Sequence, residues 1–258
     1  MRHFDYPIAN RRRSKTPARC IERWTGSARQ NGQLLGNVYP VYREGDSLHY
    51  TLLLPEVDAL DERNSNVWVR KSIAVAGEAG IVGPVVAILG EDPETVAPCR
   101  CTGRTSLILY TNYRMVGSPL QCGDCFEMVP LYRIPPTYDD SEYYNVKSWE
   151  TDYQACDALQ MGCKTGERFG LREMASPDSS LTKRGRELCE QINQSTGVPT
   201  YYYLFRYHGR SLAKERGRRC PLCGGEWLLA EPLFDRFDFR CDTCRLLSTI
   251  ALSLRRTR

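Results

Sequence analysis

The stretch that decides the fold is RRCPLCGGEWLLAEPLFDRFDFRCDTCRLLS, residues 218–248. It holds two CxxC pairs with seventeen residues between them: Cys220 with Cys223, and Cys241 with Cys244. This spacing is typical of a site in which four thiolates bind one Zn²⁺. The two glycines that follow the first pair permit the tight turn that a cysteine pair of this kind needs. The sequence therefore predicts a C-terminal zinc ribbon, a hairpin too small to be stable without its metal.

A second set of cysteines has a related pattern earlier in the chain. A CxC pair precedes a CxxC pair by twenty residues, and hairpin-forming sequence lies between them: Cys99, Cys101, Cys122 and Cys125. We expect a second zinc site here, although a CxC pair has a less regular geometry than CxxC. Four protein thiolates complete the tetrahedron of either ion and leave no position for water or substrate. Two structural zinc ions are therefore the expected cofactors.

Composition favours a cytoplasmic globular protein. The 258 residues are 41% hydrophobic, and 35 Lys and Arg against 31 Asp and Glu give a net charge of only +4. No apolar run near the N-terminus is typical of a secretory signal, and the most apolar stretch, residues 72–90, is interrupted by glycines, Glu78 and Pro84. In the cytoplasm paired cysteines bind metal more often than they form disulfides. The remaining cysteines, Cys20, Cys156, Cys163 and Cys189, are expected to be free and mostly buried.

The whole pattern predicts an α+β fold: a small N-terminal sheet-plus-helix domain with an inserted zinc hairpin, a helical segment and a C-terminal zinc ribbon. The expected boundaries are a basic flexible arm at 1–30, the α+β domain at 31–136 with its zinc hairpin at about 97–127, a mainly helical segment at 137–215 that ends in an aromatic strand, and the ribbon at 216–258.

Periodicity and capping signals place the elements within these parts. Strands are predicted at 49–54, 84–90, 106–111 and 200–207, and helices at 66–79, 149–161 and 181–194. Asn66 is the expected N-cap of the first helix and Gly80 its stop. The strands at 49–54, 84–90 and 106–111 are expected to share one sheet.

Basic and aromatic residues cluster immediately before the ribbon. Six cations face a single acid, Glu215, over residues 206–219: Arg206, Arg210, Lys214, Arg216, Arg218 and Arg219. The aromatic strand at 200–207 precedes them, and we include its Tyr202 and the later Arg245 in the candidate surface. Single-stranded nucleic acid needs cations for its phosphates and rings for its bases, so the cluster predicts binding of RNA or single-stranded DNA. The alternative is that the rings pack in the core and the arginines form a solubilising rim.

Three segments resemble a bacterial family of zinc-ribbon-containing proteins of unknown function. They are PLQCGDCFEMVPLYRIP at 119–135, GVPTYYYLFRYHGRS at 197–211, and the ribbon at 218–248. The resemblance covers roughly residues 95–250. It implies that Cys220, Cys223, Cys241 and Cys244 are metal ligands, followed by Cys122 and Cys125. The family's nucleic-acid role is itself inferred from the ribbon, and no catalytic residue comes with it.

Two other functions stay open at this point. The acidic stretch at 139–152 suits a protein-binding adaptor, including an immunity protein that neutralises a toxin. An enzyme would need a cleft with perturbed titratable groups, but the three histidines are scattered and no catalytic motif is present. We therefore expect a non-enzymatic protein that binds nucleic acid, with a protein partner as the alternative. The sequence does not indicate an oligomeric state.

Overall fold

The structure is a computed structural model that describes residues 2–7, 17–139 and 141–255. It divides into two compact units. The first unit comprises Met1–Pro98, Val116–Ser118 and Met128–Tyr144, and the second comprises Cys99–Met115, Pro119–Glu127 and Asn145–Arg258. The mixed α+β class predicted from the sequence is confirmed. The chain crosses between the units five times, the last time at Tyr144 and Asn145, within the acidic stretch.

The first unit contains an antiparallel sheet of four strands in the order β2-β3-β1-β4. Its elements are β1 (Arg2–Pro7), α1 (Pro17–Gln30), β2 (Val41–Glu44), β3 (Ser47–Leu52), α2 (Val67–Glu78) and β4 (Val85–Ile88). The predicted helix at 66–79 is confirmed as α2, and the Asn66 side chain accepts hydrogen bonds from the backbone N–H groups of Trp68 and Val69. Gly80, just beyond the helix, has a φ of 79°.

Helix α1 corrects the prediction of a flexible arm at residues 1–30. It buries Cys20, Ile21, Trp24 and Ala28 in the core of the first unit. These residues recur at the spacing of one helical face, and this apolar stripe outweighs the neighbouring arginines. Residues 8–16 of the predicted arm lie outside the described part of the chain.

The second unit contains a mixed sheet of six strands in the order β6-β5-β7-β10-β9-β8. Its strands are β5 (Leu107–Leu109), β6 (Leu120–Cys122), β7 (Thr200–Leu204), β8 (Leu228–Leu233), β9 (Phe237–Cys241) and β10 (Leu246–Ser248). Strand β7 pairs in parallel with β5 on one side and β10 on the other. The outer pairs, β5 with β6, β10 with β9 and β9 with β8, are antiparallel.

This sheet corrects two predicted domain boundaries. Strand β5 was expected in the N-terminal sheet, but it pairs with β7, ninety residues later in the chain. The ribbon was expected to stand apart from the helical segment, but β10 joins its hairpin to β7. Both pairings depend on long-range contacts, for which a strand's own residues carry no signal.

The helices in the described part of the second unit are α3 (Tyr144–Met161), α4 (Glu167–Ala175), α5 (Ser180–Thr196), α6 (Leu212–Arg216) and α7 (Leu252–Arg255). Helix α3 begins at the last residue assigned to the first unit. Trp149 of α3 is completely buried beside the Tyr202 ring. Gly185 of α5 allows this packing, because a Cβ atom there would lie 2.2 Å from that ring. Within the described ranges, none of the helices has the length and apolar character that a membrane span requires.

Candidate metal centres and basic surface

Each predicted set of cysteines comes together in the second unit. The first cysteine cluster consists of Cys99, Cys101, Cys122 and Cys125, and the second of Cys220, Cys223, Cys241 and Cys244. Within each cluster the four sulfur atoms lie within 4.8 Å of one another. Strand β6 ends at a ligand of the first cluster, and β9 ends at a ligand of the second. The two clusters therefore lie in hairpins toward opposite edges of one sheet.

All three CxxC pairs form the same turn. The residue after the second cysteine has a positive φ in each: 61° at Phe126, 70° at Gly224 and 50° at Arg245. In two of the turns the N–H of this residue donates to the carbonyl of the first cysteine, from Phe126 to Cys122 and from Gly224 to Cys220, both at 2.9 Å. A positive φ is uncommon outside glycine, so its recurrence at Phe126 and Arg245 marks a turn that the paired cysteines require.

Backbone packing positions the first cluster against the start of β5. The Gly123 N–H donates to the Ser106 carbonyl at 2.8 Å, and a Cβ atom on Gly123 would lie 1.9 Å from the Ser106 hydroxyl. The Asp124 carboxylate accepts hydrogen bonds from the Thr105 N–H and hydroxyl. These bonds lower the pKa of Asp124. The turn at Cys122–Cys125 can approach the start of β5 this closely only because residue 123 has no side chain.

Nearby N–H groups favour the thiolate form of one ligand in each cluster. Burial alone would raise the pKa of Cys99, but hydrogen bonds from the Cys101 backbone and the Arg104 side chain lower it to about 7. The Gly225 backbone N–H lowers the pKa of Cys223 to about 7. Thiolates are the form that binds metal.

The two clusters suit a tetrahedral thiophilic ion. Zn–S bonds of about 2.3 Å place the sulfurs of a tetrahedral site about 3.8 Å apart. The Cys223 and Cys241 sulfurs are 3.6 Å apart. Backbone N–H groups also donate to ligand sulfurs at 3.4 Å, from Asp124 to Cys122 and from Cys244 to Cys241. Each cluster could therefore bind one metal ion such as zinc. The other four cysteines are free, and Cys163 is the exposed one.

Two of the arginines predicted to contact nucleic acid stabilise the ribbon instead. Glu215 is buried, and Arg206 and Arg218 both pair with its carboxylate. Arg218 also packs over the rings of Trp227 and Phe239, with distances of 4.8 Å and 4.5 Å to the ring centres. Burial lowers its pKa to about 10. Arg218 is therefore unavailable to a phosphate, and Arg206 is committed to Glu215.

Four of the predicted cations remain exposed around α6: Arg210, Lys214, Arg216 and Arg219. Arg219 pairs with the exposed Glu226 at 2.8 Å. Among the described residues, the other three take part in no ion pair. Glu215, the one acid among residues 206–219, is buried and paired, so the exposed charges of this segment, the α6 patch, are all basic.

Tyr202 and Arg245 differ from expectation. Tyr202 is fully buried between α3 and α5, so a base cannot stack on its ring in this structure. All five residues of β7 are buried, so alternation along the strand does not separate an exposed face from a buried one. Arg245 is half-exposed and pairs with Glu190 at 2.9 Å beside the second cluster.

Two acidic residues of the stretch at 139–152 are paired within the protein. Glu150 is buried and pairs with Lys147, and Asp152 pairs with Arg184 at 2.7 Å. These carboxylates offer a basic partner less charge than the sequence suggested.

Sequence reasoning missed a cavity of about 430 Å³ in the second unit. Aromatic residues of β7 and the buried Asp157 of α3 line it. Its only local signal was the aromatic strand, which was interpreted as a base-stacking surface.

Three domain families of unknown function match the chain in succession: DUF8589 at residues 6–90, DUF2310 at 101–205 and DUF8594 at 209–254. An uncharacterized protein of Haemophilus influenzae is 35% identical over 235 residues, which are 90% of this chain and 88% of that protein. A second uncharacterized protein of the same organism is 36% identical over 194 residues, 74% of this chain and 93% of that protein. No solved structure gives a significant match. The chain therefore belongs to the bacterial family that includes these uncharacterized proteins.

Proposed function

We propose that the protein is a non-enzymatic RNA- or single-stranded-DNA-binding protein stabilised by two zinc ions. The observation that carries this proposal is the α6 patch, formed by the exposed side chains of Arg210, Lys214, Arg216 and Arg219. Phosphate contacts from such a patch supply affinity that depends little on nucleotide sequence.

The internal pairing of Glu215 supports the proposal. A buried carboxylate needs partners, and Arg206 and Arg218 of the same unit both pair with the carboxylate of Glu215. The acid that would otherwise offset the patch is thereby removed from its surface. Helix α6 is capped by Ser211, whose hydroxyl accepts from the Lys214 N–H at 3.3 Å, so the patch is carried on an ordered turn.

In this proposal, zinc stabilises the α6 patch by ordering the ribbon that follows it. Bound by the second cluster, the ion would fix Cys220, which lies directly after Arg219, to the hairpin of β8 and β9. Four protein thiolates fill the coordination sphere, which suits a structural role. Zinc is proposed for the first cluster on the same grounds.

The test is the salt dependence of binding to an all-uridine RNA, measured by fluorescence anisotropy on the zinc-loaded protein. The double variant Lys214→Glu/Arg216→Glu is compared with Lys164→Glu/Arg168→Glu, which removes two exposed cations elsewhere in the second unit. We expect the wild type to lose affinity steeply from 50 to 200 mM salt and the α6 variant to have a slope shallower by roughly 2.

The control variant should keep the wild-type slope, because both doubles change the net charge equally. Equal slopes for the two variants would contradict the assignment of the α6 patch. Absence of binding at low salt, with one protein copurifying in equal amount, would favour the adaptor function instead.

A further inference from the structure

The cavity of about 430 Å³ in the second unit has the size of a small-molecule site, for which about 300 to 1,000 Å³ is usual. It is lined by residues that follow β5 and β7, by Tyr203 of β7, by residues of α3 and α7, and by Arg236 of the β8–β9 turn. Buried residues form its inner wall, and the exposed Met161 and Arg236 lie at its mouth.

Aromatic rings dominate the cavity wall. Tyr110, Tyr153, Tyr203, Phe205 and Tyr207 all line it. The rings of Tyr110 and Tyr203 have their centres 5.3 Å apart, and those of Tyr203 and Phe205 are 6.4 Å apart. Such a wall suits a flat, aromatic ligand, which gains from stacking as well as from leaving water.

A buried carboxylate gives the cavity a hydrogen-bond preference. Asp157 is 6% exposed and accepts from the Tyr113 backbone N–H at 2.9 Å and from the Gln160 side chain at 3.4 Å. In the described part of the chain no cation pairs with it. Each carboxylate oxygen can accept a further bond, so Asp157 selects a ligand with N–H donors.

The wall also contains a buried polar group that has no partner among the described residues. The Tyr153 hydroxyl is buried and forms no hydrogen bond with any described residue. Buried polar groups are normally satisfied, and an exception calls for a missing partner.

One guanidinium group makes the lining complementary to an anion at its mouth. Arg236 is exposed, lies 5.3 Å and 5.2 Å from the ring centres of Tyr110 and Phe126, and donates to the Tyr110 hydroxyl at 2.8 Å. Arg255 also lines the cavity, but its charge is paired with Asp238. The site thus combines a stacking wall, an acceptor carboxylate inside and one cation beside the mouth.

We propose that this cavity binds a guanine nucleotide, with the base against the aromatic wall, its N–H edge on Asp157 and its phosphate near Arg236. Guanine presents two adjacent donors, N1–H and the N2 amino group, to one carboxylate, whereas adenine, cytosine and uracil do not. The inference deepens the proposed function, since the guanine can belong to an RNA strand or to a free nucleotide.

The experiment is isothermal titration calorimetry of the full, zinc-loaded chain with guanosine 5′-monophosphate and with the adenosine, cytidine and uridine analogues. We expect guanosine monophosphate to bind about tenfold or more tightly than the others. Asp157→Asn, which keeps the shape of the side chain, should weaken guanosine monophosphate about 10- to 100-fold. The control is Asp178→Asn, an exposed carboxylate of the same unit, which should bind as the wild type does.

Equal affinity for the four nucleotides, or no binding of guanosine monophosphate, would overturn the proposal even if Asp157→Asn failed to fold. An RNA with one guanine among uridines tests whether the guanine belongs to an RNA strand or to a free nucleotide. Tighter binding of this RNA than of all-uridine RNA, with competition by guanosine monophosphate, indicates a strand; binding of the mononucleotide alone indicates a free nucleotide. Salt-dependent binding of all-uridine RNA without any base preference leaves the proposed function intact and refutes the cavity assignment.

Discussion

The buried environment of Asp157 disfavours the ionised form of its carboxyl group. Burial raises its pKa, so the folded state binds a proton more readily than the unfolded state does. By linkage, this carboxyl makes the protein less stable as the pH rises through its unfolded and then its folded pKa. A residue that costs stability at neutral pH is better explained by ligand binding than by packing.

Replacing Asp157 with Asn should therefore keep or raise thermal stability at pH 7. Asn cannot ionise, and its side-chain carbonyl can still accept from the Tyr113 N–H. The advantage over the wild type should shrink as the pH falls toward 4, where the wild-type carboxyl gains its proton. Melting temperatures of both proteins between pH 4 and 8 would check this, and a variant that is destabilised most at pH 7 would contradict it.

Two buried tyrosines provide a matched comparison of hydroxyl groups. The Tyr153 hydroxyl has no hydrogen-bond partner among the described residues, whereas the Tyr201 hydroxyl donates to Asp242 at 2.6 Å and accepts from Arg240 at 2.7 Å. Tyr153→Phe should leave the melting temperature unchanged or raise it. Tyr201→Phe should cost about 1 kcal/mol, because it removes two hydrogen bonds, although Arg240 and Asp242 still pair with each other. A larger loss in Tyr153→Phe, measured by thermal unfolding, would show that its hydroxyl is satisfied in solution.

The turn at Cys122–Cys125 gives a test of one structural element. A Cβ atom on residue 123 would clash with the Ser106 side chain and carbonyl, and the turn would have to move away from β5. Gly123→Ala should therefore release metal from the first cluster at a lower chelator concentration and lower the melting temperature. Gly103→Ala, in the same loop region but with open space around its Cβ position, should behave like the wild type. Competition with a chromophoric chelator measures both, and equal metal retention would rule out this packing role.

Sequence reasoning succeeded for elements whose signal is local. Asn66 caps α2 through hydrogen bonds to residues two and three positions later, so its neighbours in sequence suffice to predict the cap. Cysteines three residues apart can likewise bind one ion whatever the rest of the fold is. It failed where burial depends on distant partners. In α2, for example, the apolar Ile73 is 43% exposed whereas the polar Ser72 is buried. The pairing of β7 with β5 and β10 was equally invisible, because any of the apolar strands could have formed it.

Among the described residues, both candidate metal centres belong to one unit. The cysteine clusters are part of the second unit, at the β5–β6 side and the β8–β9 side of its sheet. The first unit has a core of α1, α2 and β3, in which Ile21, Trp24 and Leu52 are buried. The second unit thus combines a buried core with two cysteine clusters, whereas the described part of the first has a buried core alone.

Removal of metal should therefore act on the two units unequally. The antiparallel pairs at the sides of the six-stranded sheet are short and depend on the clusters, whereas the core of the first unit contains no cluster. After treatment with a strong chelator under reducing conditions, hydrogen exchange should accelerate in β6, β8 and β9. Amide protection in α1 and α2 should persist. Uniform loss of protection across the chain would show that the first unit cannot stay folded without the second, and full protection after verified metal loss would show that the clusters do not stabilise the sheet.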